Sequence, residues 1–130
     1  MPSCVKRALE NQKFDVIIDK IAYSSNDVKT LLENVICERY IQMSTCSVYL
    51  NEHANISEDE FVTSDYPLVW MDRIKVYATT KRNAERAVLE YMAPSACTFV
   101  RYPIVLGEND YTRRLCFYIE HINNEQAMFP

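Results

Sequence analysis

A chain of 130 residues, 48% of them hydrophobic and 25% charged, has room for a single soluble domain around one core, and no second domain is expected. Its formal net charge of -4 offers no electrostatic footprint for nucleic acid or for an anionic membrane surface, so neither is an expected partner. Gly107 is the single glycine, where average usage of roughly 7% would give about nine, so glycine-loop chemistry is excluded from the residues present.

In chain order, Phe14-Asp15-Val16-Ile17-Ile18-Asp19 is a short run rich in β-branched residues, the pattern of a strand buried on both faces of a parallel sheet. Ser24, Ser25 and Asn26 then offer helix N-caps. Val28, Leu31, Leu32, Val35 and Ile36 follow at i, i+3, i+4, i+7 and i+8, which predicts an amphipathic helix of about three turns. Tyr40-Ile41-Gln42-Met43-Ser44-Thr45 is the next strand, and two strands joined by one helix make a parallel βαβ unit. From Leu50 to Asp72 the pattern breaks into a long acidic loop, with Glu52, Glu58, Asp59, Glu60, Asp65, Pro67 and Trp70. A long helix is expected from about Arg73 to Pro94, with Thr80, Ala84, Ala87, Val88 and Tyr91 on its buried face. Cys97-Thr98-Phe99-Val100-Arg101-Tyr102 is a third strand, and Leu115, Tyr118, Ile119 and Ile122 mark a final amphipathic helix. The order is βαβαβα, an α/β fold with a parallel sheet.

Two clusters carry chemistry. Tyr77 and Lys81 lie four residues apart, one helical turn, on the same helix face and at the edge of its buried stripe. A nearby cation stabilises phenolate and brings a tyrosine toward the working range of a general acid/base. The same spacing is met in an ordinary packed tyrosine beside a solvated lysine, so it needs context. Ser44-Thr45-Cys46-Ser47-Val48-Tyr49 supplies it: the segment ends a strand, and ligands of open α/β sheets bind outside the carboxyl ends of strands. The plain alternative for these hydroxyls is a turn that caps local backbone groups.

The strand with Asp-Val-Ile-Ile-Asp, the strand with Ser-Thr-x-x-Val-Tyr, the Tyr-x-x-x-Lys helix and Val-Arg-Tyr-Pro-Ile-Val-Leu-Gly come in an order similar to the NAD-dependent epimerase/dehydratase family, the extended short-chain dehydrogenases/reductases. The resemblance runs from about Phe14 to Gly107. It implies a single partial domain over 1–130, a partial Rossmann-like sheet lacking the N-terminal half with the glycine-rich loop, with 108–130 opening a substrate-side region. It makes Tyr77 the catalytic acid/base, Lys81 its partner and a ligand of the nicotinamide ribose, and Thr45 the hydroxyl on the reacting oxygen. Ala22, Tyr23, Tyr102, Pro103 and Ile104 match positions that pass or line the cofactor, NAD or NADP, and Glu85 matches a structural position. The implied parent is an NAD(P)-dependent epimerase or reductase acting on a nucleotide sugar or a similar hydroxyl/carbonyl substrate, with this chain alone inactive and prone to self-association. Two departures narrow it. Cys46-Ser47 stands where sugar dehydratases of the family have Asp-Glu, which disfavours a 4,6-dehydratase, and Leu50 replaces a common glycine after Val48-Tyr49.

Two other readings compete. One keeps the fold and drops catalysis, leaving a binding or regulatory protein, although the low basic charge opposes RNA binding. The other is a receiver-type signalling domain phosphorylated at Asp19, which lacks the earlier acidic pair and the late Lys-Pro turn such a site needs. Five cysteines (Cys4, Cys37, Cys46, Cys97, Cys116), odd in number and widely spaced, suggest buried reduced thiols rather than disulfides, and His53 and His121 have no partners at ligand spacing for a metal. No apolar run has membrane-spanning length and no signal-peptide stretch opens the chain, so a cytoplasmic protein is expected.

Overall fold

The computed structural model describes Leu9 and residues 12–51, 53–108 and 111–125. Strand β1 (Gln12–Asp19) carries the β-branched run. The chain then turns into helix α1 (Ser25–Leu32), whose N-cap is Ser24: its hydroxyl accepts from the Asp27 amide while the Asp27 carboxylate accepts from the Ser24 amide. This reciprocal capping satisfies donors the helix cannot satisfy itself. Helix α1 ends earlier than its apolar spacing predicts. Asn34 donates through Nδ2 to the Thr30 carbonyl at 2.7 Å, and Val35 and Ile36 become the first residues of strand β2 (Val35–Thr45), paired with Gln12 and Lys13. Two adjacent β-branched residues facing an open strand gain more from a ladder than from a third helical turn.

Strand β2 pairs in parallel with β1 and with strand β3 (Cys97–Tyr102), giving the order β1-β2-β3. Helix α2 (Tyr77–Val88) starts at Tyr77 instead of near Arg73. The reason lies in the segment before it, which is held extended against α1. The Ser25 hydroxyl donates to the Val69 carbonyl at 2.8 Å and accepts from the Met71 amide at 2.8 Å, and the Asn26 amide donates to the Met71 carbonyl at 3.2 Å. The acidic loop is thus a strap pinned to both helices, since Asn83 Oδ1 on α2 also accepts from the Val69 amide at 2.7 Å. Phe61 and Thr63 within it are buried. Helix α3 (Arg114–Asn123) buries none of its residues, so its apolar face is unpartnered among the described residues.

The core lies between the sheet and the two helices α1 and α2: Val28, Leu32, Val35, Tyr40, Ala84, Ala87 and Val88 are its centre. Alanines on α2 let it approach α1 closely. The other face of the sheet is uncovered among the described residues, with Val16 46%, Ile18 59% and Ile36 55% exposed. The expectation that β1 is buried on both faces is therefore corrected: one layer of helices covers it, where a doubly wound sheet has two. No described helix is long and apolar enough to cross a membrane.

Candidate active site

The carboxyl ends of β1 and β2 carry the polar groups. Asp19 closes β1 almost fully buried, and its Oδ1 accepts from the amides of Ile21 and Ala22, each at 2.8 Å. The Tyr40 hydroxyl, from the core of β2, donates to the other carboxylate oxygen. Both oxygens are engaged in holding this turn, which argues against the receiver reading of Asp19 as a phosphate acceptor. The turn presents the Ala22 carbonyl, which accepts from Lys81 Nζ at 3.0 Å, and the Met43 carbonyl on β2 accepts from the same ammonium at 3.0 Å. Lys81 is only 5% exposed, deeper than the stripe-edge position its spacing predicts. Burial pushes its pKa down, and the charges of Asp19, Glu85 and Asp27 oppose that. An ammonium has three donors; two are on carbonyls and one is left for a ligand.

Tyr77 opens α2 and is 40% exposed. Its ring packs on Tyr23 at 5.3 Å between centroids, and Lys81 Nζ lies 5.9 Å from the same Tyr23 ring. Tyr77 and Lys81 thus share one helix face as their spacing predicts, and they meet across Tyr23. The Arg73 guanidinium covers Tyr23 from 4.3 Å. Thr45 ends β2, and its Oγ1 accepts from the Ser47 amide at 3.2 Å, capping the 3-10 turn Cys46–Val48. The hydroxyl-rich segment therefore does cap local backbone. It also lines an open cleft of about 1240 Å³ in which Thr45 and Tyr77 are joined by Tyr102, Pro103 and Ile104. Tyr102 is there because it is the ladder partner of Thr45.

The candidate residues fall into two groups on either side of Tyr77. Thr45, Tyr102, Pro103 and Ile104 line the cleft with it, whereas Ala22, Tyr23 and Lys81 form a cluster behind it, linked by the Lys81–Ala22 hydrogen bond and the Tyr23–Tyr77 ring contact.

Glu85, expected from the resemblance at a structural position, is the centre of a buried network, and Arg101, Arg82 and Gln42 join the site without having been singled out in the sequence. Glu85 is fully buried and accepts from the Ser44 hydroxyl, from Thr63 Oγ1 at 3.0 Å and from Arg101 Nη2 at 2.8 Å. Burial works against the charge of Arg101, while hydrogen bonds to Glu85 and Tyr49 more than restore it, so its pKa lies above the ordinary value. Arg82 gathers the carbonyls of Ser47, Val48 and Tyr49 and so holds the cleft wall. Glu85 sits one turn beyond Lys81 and Arg101 one residue before Tyr102; their adjacency to the chemical motifs was the available signal. Gln42, fully buried on β2 with neither amide atom hydrogen-bonded, had no such signal. The thiols also correct an expectation: Cys46 and Cys116 are exposed and Cys37 and Cys97 half-buried, all free, so none is a fully buried core thiol, and Cys4 lies outside the described residues. Among the described residues no group of three His, Cys, Asp or Glu side chains could hold a metal ion.

The donor set fits one end of a nicotinamide dinucleotide. The spare N–H of Lys81 suits a ribose hydroxyl. Among the described residues no glycine cradle for the phosphate end is found: the single glycine, Gly107, is in open space, with nothing within 4 Å of a Cβ built on it, and so makes no close backbone approach.

The family model for the NAD dependent epimerase/dehydratase family matches residues 4–129, a wider span than the motif-bearing stretch. No curated protein and no solved structure gives a match. With all but the chain's extreme ends matched, and with a parallel βαβαβα architecture carrying the tyrosine and lysine on one helix, this chain belongs to the NAD dependent epimerase/dehydratase family, whose members use a nicotinamide cofactor.

Proposed function

We propose that the protein acts in proton-coupled oxidation and reduction, as part of an NAD(P)-dependent epimerase or reductase whose substrate is a nucleotide sugar or a similar hydroxyl/carbonyl compound. The observation that carries this reading is the arrangement around Tyr77: a half-exposed phenol facing the cleft with Thr45, backed by a buried ammonium on the same helix face. Tyr77 Oη removes the proton from a substrate hydroxyl in one direction and returns it in the other. Thr45 Oγ1, which accepts from the Ser47 amide and donates to Ser47 Oγ at 3.2 Å, turns that proton to the same substrate oxygen and orients it when substrate is bound. Lys81 contributes a positive charge behind Tyr77 and its spare N–H to a ribose hydroxyl. The nicotinamide, when bound, supplies the hydride acceptor or donor. Cys46 and Ser47 line the cleft where a second acid/base pair would be required, which supports a redox or epimerase step over 4,6-dehydration.

Tyr77→Phe keeps the ring packing on Tyr23 and removes the proton carrier, so turnover in an active form of the protein should fall about 10²–10⁴-fold. Unchanged turnover would sink the assignment. The lack of a phosphate cradle among the residues present supports a second reading, in which this chain by itself is a non-catalytic member of the fold. Fluorescence titration with NADH and with NADPH, on this chain and on the chain extended by any upstream sequence encoding a glycine-rich loop, separates the two. Binding only by the extended chain fits the enzyme reading, and binding by neither fits the non-catalytic one.

A further inference from the structure

We infer that Asp19, braced by Tyr40, is a positioning residue for the Tyr77/Lys81 pair: it fixes the turn that both receives the Lys81 ammonium and supplies the ring on which Tyr77 packs. This deepens the proposed function and rests on it for its catalytic meaning. The chain of contacts is continuous. Tyr40 is fully buried and its hydroxyl donates to Asp19. The second carboxylate oxygen of Asp19 gathers the Ile21 and Ala22 amides at 2.8 Å. Those bonds fix the turn as far as Ala22; the peptide unit that carries the Ala22 carbonyl is held on its other side by the Tyr23 amide, which donates to Asp27 Oδ2 at 3.1 Å, and that carbonyl takes Lys81 at 3.0 Å while the Tyr23 ring lies 5.3 Å from that of Tyr77 between centroids.

A neutral acceptor at position 19 would leave the same turn with weaker bonds, because hydrogen bonds to an ionised acceptor are roughly twice as strong as neutral ones. The carboxylate also acts on Lys81 at a distance. The groups facing that ammonium are Asp19 from the end of β1, Asp27 from α1, Glu85 one turn along α2 and the ring of Tyr23. Asp19 is the largest of the three charges that keep Lys81 protonated against its burial. Position and charge therefore come from one side chain.

The test observes Lys81 directly, by NMR of the chain with labelled lysine side chains, and needs neither cofactor nor turnover. In Asp19→Asn the Lys81 titration midpoint should fall, because the largest of the charges that oppose its burial is gone. The Ile21 and Ala22 amides, which donate to Asp19, should exchange faster with solvent. A folded Asp19→Asn protein whose Lys81 midpoint and turn amides match wild type overturns the inference. If Asp19→Asn does not fold, Tyr40→Phe decides, since it keeps the ring and the carboxylate and removes only the brace. Exchange at Ala22 should then rise about fivefold, the worth of one hydrogen bond, and wild-type exchange would overturn the inference. These outcomes are independent of the function reading. A shifted Lys81 in a protein that never binds NADH or NADPH leaves the positioning intact and removes its catalytic meaning, while loss of turnover in Tyr77→Phe with an unmoved Lys81 does the reverse.

Discussion

At the residue scale the surroundings of His53 show how a surface side chain on the cleft wall responds to pH. His53 Nε2 meets Glu60 Oε2 at 2.8 Å and Nδ1 meets the Ala54 carbonyl at 2.8 Å. Two acceptors can be satisfied together only by the doubly protonated ring. The Ala54 carbonyl first, and then Glu60, raise the His53 pKa, and Glu60 in turn is lowered by the Ser57 amide, Asn51 and His53. For His53 the folded pKa lies above the unfolded one, so its contribution is fully present below the unfolded value and is lost as pH rises through the folded one. For Glu60 the contribution is present above its unfolded pKa and is lost as pH falls through the lowered folded one. The clasp across the loop is therefore tightest in mildly acid solution. An NMR titration of the His53 ring should give a midpoint above the ordinary histidine value of about 6.5. A midpoint at or below that value would show that the clasp does not form in solution.

At the scale of elements, α2 is buried on more sides than its apolar stripe indicates. Thr80, Ala84, Ala87 and Val88 are where the 3.6-residue period places them, but Lys81, Asn83 and Glu85 are buried as well. The period could be read because it depends on neighbours in sequence. Burial of these polar residues depends on segments distant in sequence, the turn at Ala22 and strand β2 for Lys81, the strap at Val69 for Asn83, and Thr63 and Arg101 for Glu85, and no local pattern announces them. The same limit explains α1, whose stop after Leu32 was set by the pairing of Val35 and Ile36 with β1 and not by its own spacing. The succession of strands and helices along the chain, the helix carrying Tyr77 and Lys81, and the strand end at Thr45 were legible because each rests on a local run. The turn of Ala22 and Tyr23 came only through family resemblance, and Asp19, which holds it, was missed in that role. The buried network also has an energetic consequence. Glu85 and Arg101 are an ion pair with side chains 0% and 12% exposed. In Glu85→Gln the guanidinium stays nearly buried without its countercharge, so urea unfolding should show a loss of about 3 kcal/mol, as for other broken buried pairs. A loss under about 1 kcal/mol, the range of exposed pairs, would mean that water already screens this one.

At the scale of the whole molecule, among the described residues the sheet has helices on one face only and its first strand has no partner on its outer edge. The edge and the uncovered face adjoin each other. Val16 and Ile18 stand on β1 itself, next to Arg39 and Ile41 of β2, and Ile36 lies further along β2 as the partner of Lys13. An unpaired strand offers free N–H and C=O groups, and an apolar face beside it adds the burial that makes pairing persist. A second copy suits both features at once: a two-fold axis beside β1 pairs the strand with its own image in antiparallel fashion and brings the two apolar patches next to each other. The chain should therefore self-associate, with the mass measured by light scattering rising as concentration rises. Ile18→Lys puts a charge in the middle of the patch, on a side chain that is 59% exposed and so contributes little to the core. It should return the chain to the monomer while leaving the helical circular dichroism and the thermal midpoint nearly unchanged. A wild-type chain that scatters as a clean monomer at high concentration would show that its own residues, or water, already satisfy this edge.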